Sequence, residues 1–107
     1  MATVDLTHES FISTINDNDI VLVDFWAPWC GPCRQFAPVF ESMSESHPDV
    51  VFAKVNTEEQ KELSAIFGIQ SIPSLLFVPK DGQPQMAMGA LPKDTLEKAF
   101  KDVLKVD

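Results

Sequence analysis

The run Ile20-Val21-Leu22-Val23-Asp24-Phe25-Trp26 constrains the fold more than any other stretch of this chain. It is nearly continuous apolar and β-branched, without the apolar/polar alternation of a strand that has one wet face. Such a run predicts a central strand covered on both sides, and therefore a layered α/β architecture with helices flanking a sheet. The flanking segments supply the helices. Thr7 is placed to cap a short helix carrying Phe11, Ile12 and Ile15 inward, and Asn16-Asp17-Asn18-Asp19 then breaks that pattern as a polar turn. After the central strand, a helical pattern sets Phe36, Val39, Phe40 and Met43 on one side, with Pro38 inside it predicting a kink.

Val50 to Val55 reads as a second buried strand. Thr57-Glu58-Glu59-Gln60 has the form of a capping box, opening a helix with Leu63, Ile66 and Phe67 inward and Gly68 as its stop. Ser74 to Val78 forms a third strand, Lys80-Asp81-Gly82 a turn, and the alternating stretch Gln85 to Gly89 an antiparallel partner for that strand. Leu96, Phe100, Val103 and Leu104 mark a closing amphipathic helix. The order, with an optional leading strand, is (β)αβαβαββα. It predicts a mixed sheet, parallel at its core and ending in an antiparallel hairpin, with helices on both faces.

The length of 107 residues predicts one domain spanning residues 1–107, and 45% hydrophobic content suits a packed core. Sixteen acids against eight bases give a net charge of −8, which argues against nucleic-acid and anionic-membrane surfaces. The N-terminus Met1-Ala2-Thr3-Val4-Asp5 has neither the basic nor the apolar region of an export signal, so the chain reads as cytoplasmic. No apolar stretch approaches the ~20 residues that span a bilayer. A reducing cytosol disfavours structural disulfides but hosts transient catalytic ones.

Against that background the only two cysteines, in Trp29-Cys30-Gly31-Pro32-Cys33, carry the chemistry. A structural disulfide gains most by closing a long loop, and this ring would close almost none. Residues i and i+3 at a helix start have Cβ atoms ~5–6 Å apart. A disulfide needs Cα atoms ~4.4–6.8 Å apart, so the ring could close without unwinding the helix. Pro32 is tolerated in the first turn. Cys30, at the helix N-terminus, lies near unpaired N–H groups and the positive end of the dipole, which favour the nucleophilic thiolate. Cys33, one turn further in, is predicted to be less exposed and more fully protonated. The asymmetry makes Cys30 the attacker of a substrate disulfide and Cys33 the resolver of the mixed disulfide. Two alternatives stand beside this: half of a zinc site, which would need ligands such as His8 and His47 to converge, and an inert thiol pair.

The segment Val23-Asp24-Phe25-Trp26-Ala27-Pro28-Trp29-Cys30-Gly31-Pro32-Cys33 resembles the active-site segment of the thioredoxin family residue for residue. Ile72-Pro73 and Gly89-Ala90 match the family's two other substrate-facing loops, and the resemblance runs over essentially the whole chain. It implies a protein-disulfide reductase that cycles between a Cys30/Cys33 dithiol and disulfide. No bound metal or organic cofactor is implied. The implied partners are protein disulfides and an NADPH-dependent flavoprotein, thioredoxin reductase, and a monomer is expected. The resemblance also implies a cis Ile72-Pro73 bond against the disulfide. With Trp29, Gly31, Pro32, Ile72, Gly89 and Ala90, Pro73 would form a flat, mostly apolar surface where an extended peptide pairs through its main chain.

Asp24 stands out on its own, because it interrupts an apolar strand where an ionised carboxylate is costly. Alternation places Leu22, Asp24 and Trp26 on one face and Val21, Val23 and Phe25 on the other. Burial would raise its pKa toward the range useful for proton transfer near neutral pH. The family role it inherits is proton acceptor for Cys33 through water; the alternative is a strand-end acid that reaches solvent. Lys54 interrupts the second strand between Ala53 and Val55. The resemblance puts it near the aspartate as a partly compensating charge, against the alternative of a lysine snorkelling to a strand edge. Ser74 stands where threonine is commoner in the family, Pro79 alters the hairpin, tyrosine is absent, and Arg34 keeps the usual positive charge after the second cysteine. Two other functions share the motif: a redox-independent binding module using the same surface, and a thiol oxidant or isomerase. The Gly31-Pro32 pair, with no charged or imidazole group, suits a reductant better.

Overall fold

The structure, a computed structural model, describes residues 2–106; Met1 and Asp107, the ends of the expected 1–107 domain, lie outside the described residues. The elements are β1 (Thr3–Asp5), α1 (His8–Asp17), β2 (Val21–Trp26), α2 (Gly31–Ser46), β3 (Val51–Asn56), α3 (Lys61–Ile66), β4 (Ser74–Val78), β5 (Gln85–Met88) and α4 (Lys93–Ala99). A π-helical turn, Phe100–Leu104, continues α4. The optional leading strand is real, and the order of elements is the one the sequence predicts.

All five strands form one sheet in the order β1-β3-β2-β4-β5. β1 and β2 both pair parallel with β3, whereas β4 runs antiparallel to β2 and β5 antiparallel to β4. β2 lies at the centre with its first five residues buried, as its continuous apolar run requires. Its two faces feed two cores. Leu22 packs with Phe36 and Phe40 of α2, Phe52, Leu96 of α4 and Phe100. Val21, Val23 and Phe25 pack on the other side with Phe11 of α1 and Leu63 of α3. Rings interlock within each core: Phe40 meets Phe52 edge-on at 5.2 Å between centroids, and Phe67 touches Phe11 at 5.2 Å and Phe25 at 5.6 Å. Each fully buried side chain of this size contributes ~1.5–3 kcal/mol by leaving water.

The local signals that hold are those with a hydrogen bond behind them. Thr7 caps α1: its Oγ1 accepts from Ser10 N at 3.2 Å, while Thr7 N donates to Ser10 Oγ at 2.9 Å. Gly68 ends α3 at φ +61°, with Gly68 N donating to Ala65 O and Ile69 N to Ser64 O, a termination that a residue lacking Cβ adopts without strain. α2 runs unbroken through Pro38.

Three expectations need correction. Ile12 is 63% exposed, because α1 buries only the narrow Phe11–Ile15 stripe and residue 12 is turned ~100° away from Phe11. Ile66 is 67% exposed: α3 is six residues long with Leu63 as its only buried residue, and Phe67 and Ile69 in the following turn fill the inward position. The Thr57-to-Gln60 capping box does not form. Thr57 Oγ1 donates instead to Trp26 O at 3.0 Å, tying the turn to the end of β2. The Gln60 side-chain oxygen accepts from His8 N at 2.9 Å, so α3 starts at Lys61 without a side-chain cap. Among the described residues no helix is long and apolar enough to cross a membrane.

Candidate active site

The site lies at the C-terminal end of β2, where Ala27, Pro28 and Trp29 lead into α2. Cys30 is the residue that caps α2, with extended backbone (φ −86°, ψ 113°), and its Sγ accepts from Cys33 N at 3.2 Å. Cys30 and Cys33 are joined as a disulfide with Cα atoms 5.2 Å apart, inside the range that the spacing predicts. Pro32 occupies the first turn, where its missing N–H leaves no carbonyl unpaired. Arg34 Nη1 donates to Pro28 O at 3.0 Å and braces the loop in front of the sulfurs.

Both cysteines are buried, Cys30 5% exposed and Cys33 3%, so exposure separates them far less than the sequence suggests. What distinguishes them is position. Cys30 Sγ receives a helix N-terminal N–H and lies 3.8 Å from Ile72 O, at the edge of the opposite loop. A Cβ added at Gly31 would meet nothing within 4 Å, so the approach over the motif is open. His8 faces Glu62 at 3.9 Å, and the His47 ring packs edge-on against Phe100, so neither histidine joins the sulfurs. Among the described residues no cluster of three or more His, Cys, Asp or Glu side chains could hold a metal ion.

Ile72-Pro73 is cis, and Ile72 packs with Trp26 against Ala27, Cys30 and Cys33. Pro73 O accepts from Gly89 N at 2.8 Å, which draws the Gly89-Ala90 loop to the same end of the sheet; Gly89 sits at φ +92°, a conformation glycine adopts without strain. Two grooves flank the disulfide. One, of about 380 Å³, is bordered by Trp29, Thr57, Ile69 and Ile72. The other, of about 210 Å³, is bordered by Pro32, Phe36, Ala90 and Leu91. Of the residues expected around the sulfurs, Trp29, Gly31 and Pro32 adjoin them in the chain and Ile72 packs against them. Pro73, itself buried, Gly89 and Ala90 are tied to the same end of the sheet through the Gly89–Pro73 hydrogen bond and the groove that Ala90 shares with Pro32.

Trp29 is 64% exposed and its Nε1 donates to Glu58 Oε1. In the sequence Glu58 reads only as part of the Thr57-to-Gln60 capping box, not as a site residue. The signal for it is topological: β2 and β3 are parallel with Trp26 opposite Asn56, so residues just past the two strand ends are neighbours.

Asp24 is 1% exposed, and its Oδ1 has no hydrogen-bond partner. The solvent-reaching alternative is thereby excluded. Burial pushes its carboxyl up to about 7, with the positive charge of Lys54 pulling the other way. Lys54 stands directly opposite Asp24 in the β2–β3 register. Its ammonium, however, lies 4.7 Å from the centroid of the Trp26 ring rather than in a closed ion pair with the carboxylate. The indole face attracts the cation, and so holds the charge close enough to bias Asp24 without neutralising it. Trp26 Nε1 is also buried and unpartnered, two residues from Asp24 on the same face of β2.

A reversible sulfur pair at a helix N-terminus, behind a central strand that carries a buried acid, defines a thiol–disulfide oxidoreductase. The sequence profile of the family described as thioredoxin matches residues 2–102. The chain is 47% identical over 106 residues to a thioredoxin of Alicyclobacillus acidocaldarius, covering 97% of this chain and all of that one. It is 40% identical over 102 residues to a thioredoxin of Porphyra purpurea, covering 94% and 95% of the two chains. The oxidised mitochondrial thioredoxin 3 of Saccharomyces cerevisiae superposes with a TM-score of 0.84 at 32% identity, covering 94% of this chain and 95% of that one. The protein belongs to the thioredoxin family, has the thioredoxin fold, and carries that family's redox-active cysteine pair as Cys30 and Cys33.

Proposed function

We propose that this protein is a general protein-disulfide reductase in which Cys30 attacks and Cys33 resolves. In the dithiol form the Cys33 N–H and the first turn of α2 stabilise an anionic Cys30 sulfur. That sulfur attacks one sulfur of a substrate cystine. The substrate S–S bond breaks, a Cys30–substrate disulfide forms, and one substrate thiolate leaves. Cys33 then gives its proton to Asp24, through a bridging water, and attacks Cys30. The second substrate thiol is released and the intramolecular disulfide closes. Over the cycle the substrate gains two electrons from the Cys30/Cys33 pair. One of its two protons starts on Cys33 and passes from Asp24 to the second thiolate, and the other is taken from solvent by the first.

The observation that carries this reading is the Cys30 sulfur held at the helix N-terminus 3.8 Å from the Ile72 carbonyl, with an open approach over Gly31. A buried carboxyl with a pKa of about 7 suits a proton acceptor near neutral pH. Lys54 tunes that acid from across the strand pair. Trp29, Gly31, Pro32, Ile72, Pro73, Gly89 and Ala90 form the docking surface, on which an extended substrate pairs with the main chain beside Ile72.

Electrons return to the disulfide from an NADPH-dependent flavoprotein thioredoxin reductase. The cycle needs no bound metal or organic cofactor. The protein works as a monomer of one domain over residues 1–107, in a reducing compartment such as the cytoplasm, where its own pair is kept as the dithiol. The test is insulin reduction coupled to NADPH oxidation through thioredoxin reductase. Wild-type protein is expected to sustain turnover and Cys30→Ser to have none; turnover retained by that variant would refute the assignment.

A further inference from the structure

Two large apolar side chains lie bare on β5, the edge strand next to the cis-proline loop: Met86, 37% exposed, and Met88, 66% exposed. In the hairpin register Met88 stands opposite Ser74, the residue after Pro73, and immediately precedes Gly89, whose N–H binds Pro73 O. Alternation settles the face. Ala87 packs into the core with Leu22 and Phe36, so Met86 and Met88 project from the other side of the sheet. Met88 therefore shares a side with Ser74, whose hydroxyl donates to Ser71 O, and flanks the segment that carries Ile72 and Pro73. By contrast, Met43 is sealed in the core at 3% exposure.

We propose that Met88 is an oxidation site through which peroxide lowers the reactivity of this protein toward large substrates. The inference rests on the docking role assigned above to the surface around Pro73. An exposed thioether is a soft, adaptable contact for varied partners. A peroxide transfers one oxygen to its Sδ. The O–O bond breaks and an S–O bond forms, and the sulfur gives up an electron pair. The other oxygen takes the proton of the transferred one and leaves as water. The product is a polar, chiral sulfoxide on an apolar docking surface. The sulfur pair keeps its own chemistry, so small disulfides react as before while proteins dock less well. A methionine sulfoxide reductase reverses the change, with a dithiol supplying the electrons and the oxygen leaving as water.

The test uses the disulfide form, in which neither cysteine is a free thiol. It is treated with hydrogen peroxide, mapped by peptide mass spectrometry, then reduced with a small dithiol and desalted. The second-order rate constants are measured with insulin and with a small aromatic disulfide. The expected result is oxygen on Met88 ahead of Met86 and none on Met43, an insulin rate constant lowered about two- to tenfold, and an unchanged rate with the small disulfide. Met88→Leu, whatever its untreated rate, is expected to give the same insulin rate before and after treatment, and Met86→Leu to lose as much as wild type. The proposal is overturned by equal losses on both substrates, by an unchanged insulin rate with Met88 oxidised, by Met86 or Met43 oxidising first, or by Met88→Leu losing as much as wild type. Untreated protein that fails to reduce insulin would instead sink the reductase reading, before any peroxide is added.

Discussion

Asp24→Asn isolates the energetic burden of the buried acid. Asparagine keeps the shape of the side chain and cannot ionise. In the wild type, moving the carboxyl from its ordinary 3.8 to about 7 corresponds to roughly 4 kcal/mol at ~1.4 kcal/mol for each tenfold change in proton affinity. The folded chain holds this proton more tightly than the unfolded chain does. The penalty is therefore absent below 3.8, grows as pH rises, and is complete once pH passes about 7. The buried amide of the variant carries its own cost, but that cost does not change with pH. The remaining ionisable side chains are common to both chains, so their contributions largely cancel in the difference. The quantity to measure is thus the stability of Asp24→Asn minus that of wild type, from guanidinium unfolding of the disulfide forms across pH. Between about pH 5 and about pH 8.5 this difference is expected to grow in favour of the variant by roughly 3 kcal/mol. A difference that stays flat over that range would show that Asp24 titrates normally, and the proton-acceptor argument would fall with it.

Lys54→Met keeps the contact with the Trp26 ring but removes the charge that draws the Asp24 carboxyl down, so the titration of Asp24 is expected to move above about 7. Carboxyl NMR against pH would show this, and a downward or absent movement would contradict the electrostatic link. Gly89→Ala places a side chain at φ +92° in open space, since an added Cβ meets no atom within 4 Å. Its cost is therefore backbone strain alone, on the order of 1–2 kcal/mol, to be read as a lower denaturation midpoint with an unchanged slope; no loss would mean that the loop relaxes freely.

Much of this molecule is legible in its sequence because the strong signals agree with one another. The apolar run of β2 required cover on both faces, and the alternation of Leu22, Asp24 and Trp26 against Val21, Val23 and Phe25 placed the acid on the correct side of the sheet. The cysteine spacing, Pro32 in the first turn and the helix after it gave the geometry of the disulfide. Local patterns misled where tertiary contacts claimed the same atoms. Thr57 reads as a helix cap, but its hydroxyl is taken by the end of β2, and Gln60 is drawn to the start of α1. Ile12 and Ile66 have the right periodicity on helices too short or too narrowly packed to bury them. Lys54 reads as a partner for Asp24; only the three-dimensional position of the indole explains why the ammonium settles over Trp26. Glu58 was missed because its meaning depends on which strand β3 lies beside.

The central claim is that the two sulfurs have different jobs, Cys30 forming the bond to substrate and Cys33 breaking it. Trapping tests this most directly. Each single variant, reduced and mixed with a protein disulfide, is run on a non-reducing gel, and the linked peptides are identified by mass spectrometry. Cys33→Ser is expected to accumulate a mixed disulfide through Cys30, and Cys30→Ser to form none on the same timescale. An adduct that builds up through Cys33 in the Cys30→Ser protein as fast as through Cys30 in the other would contradict the assignment.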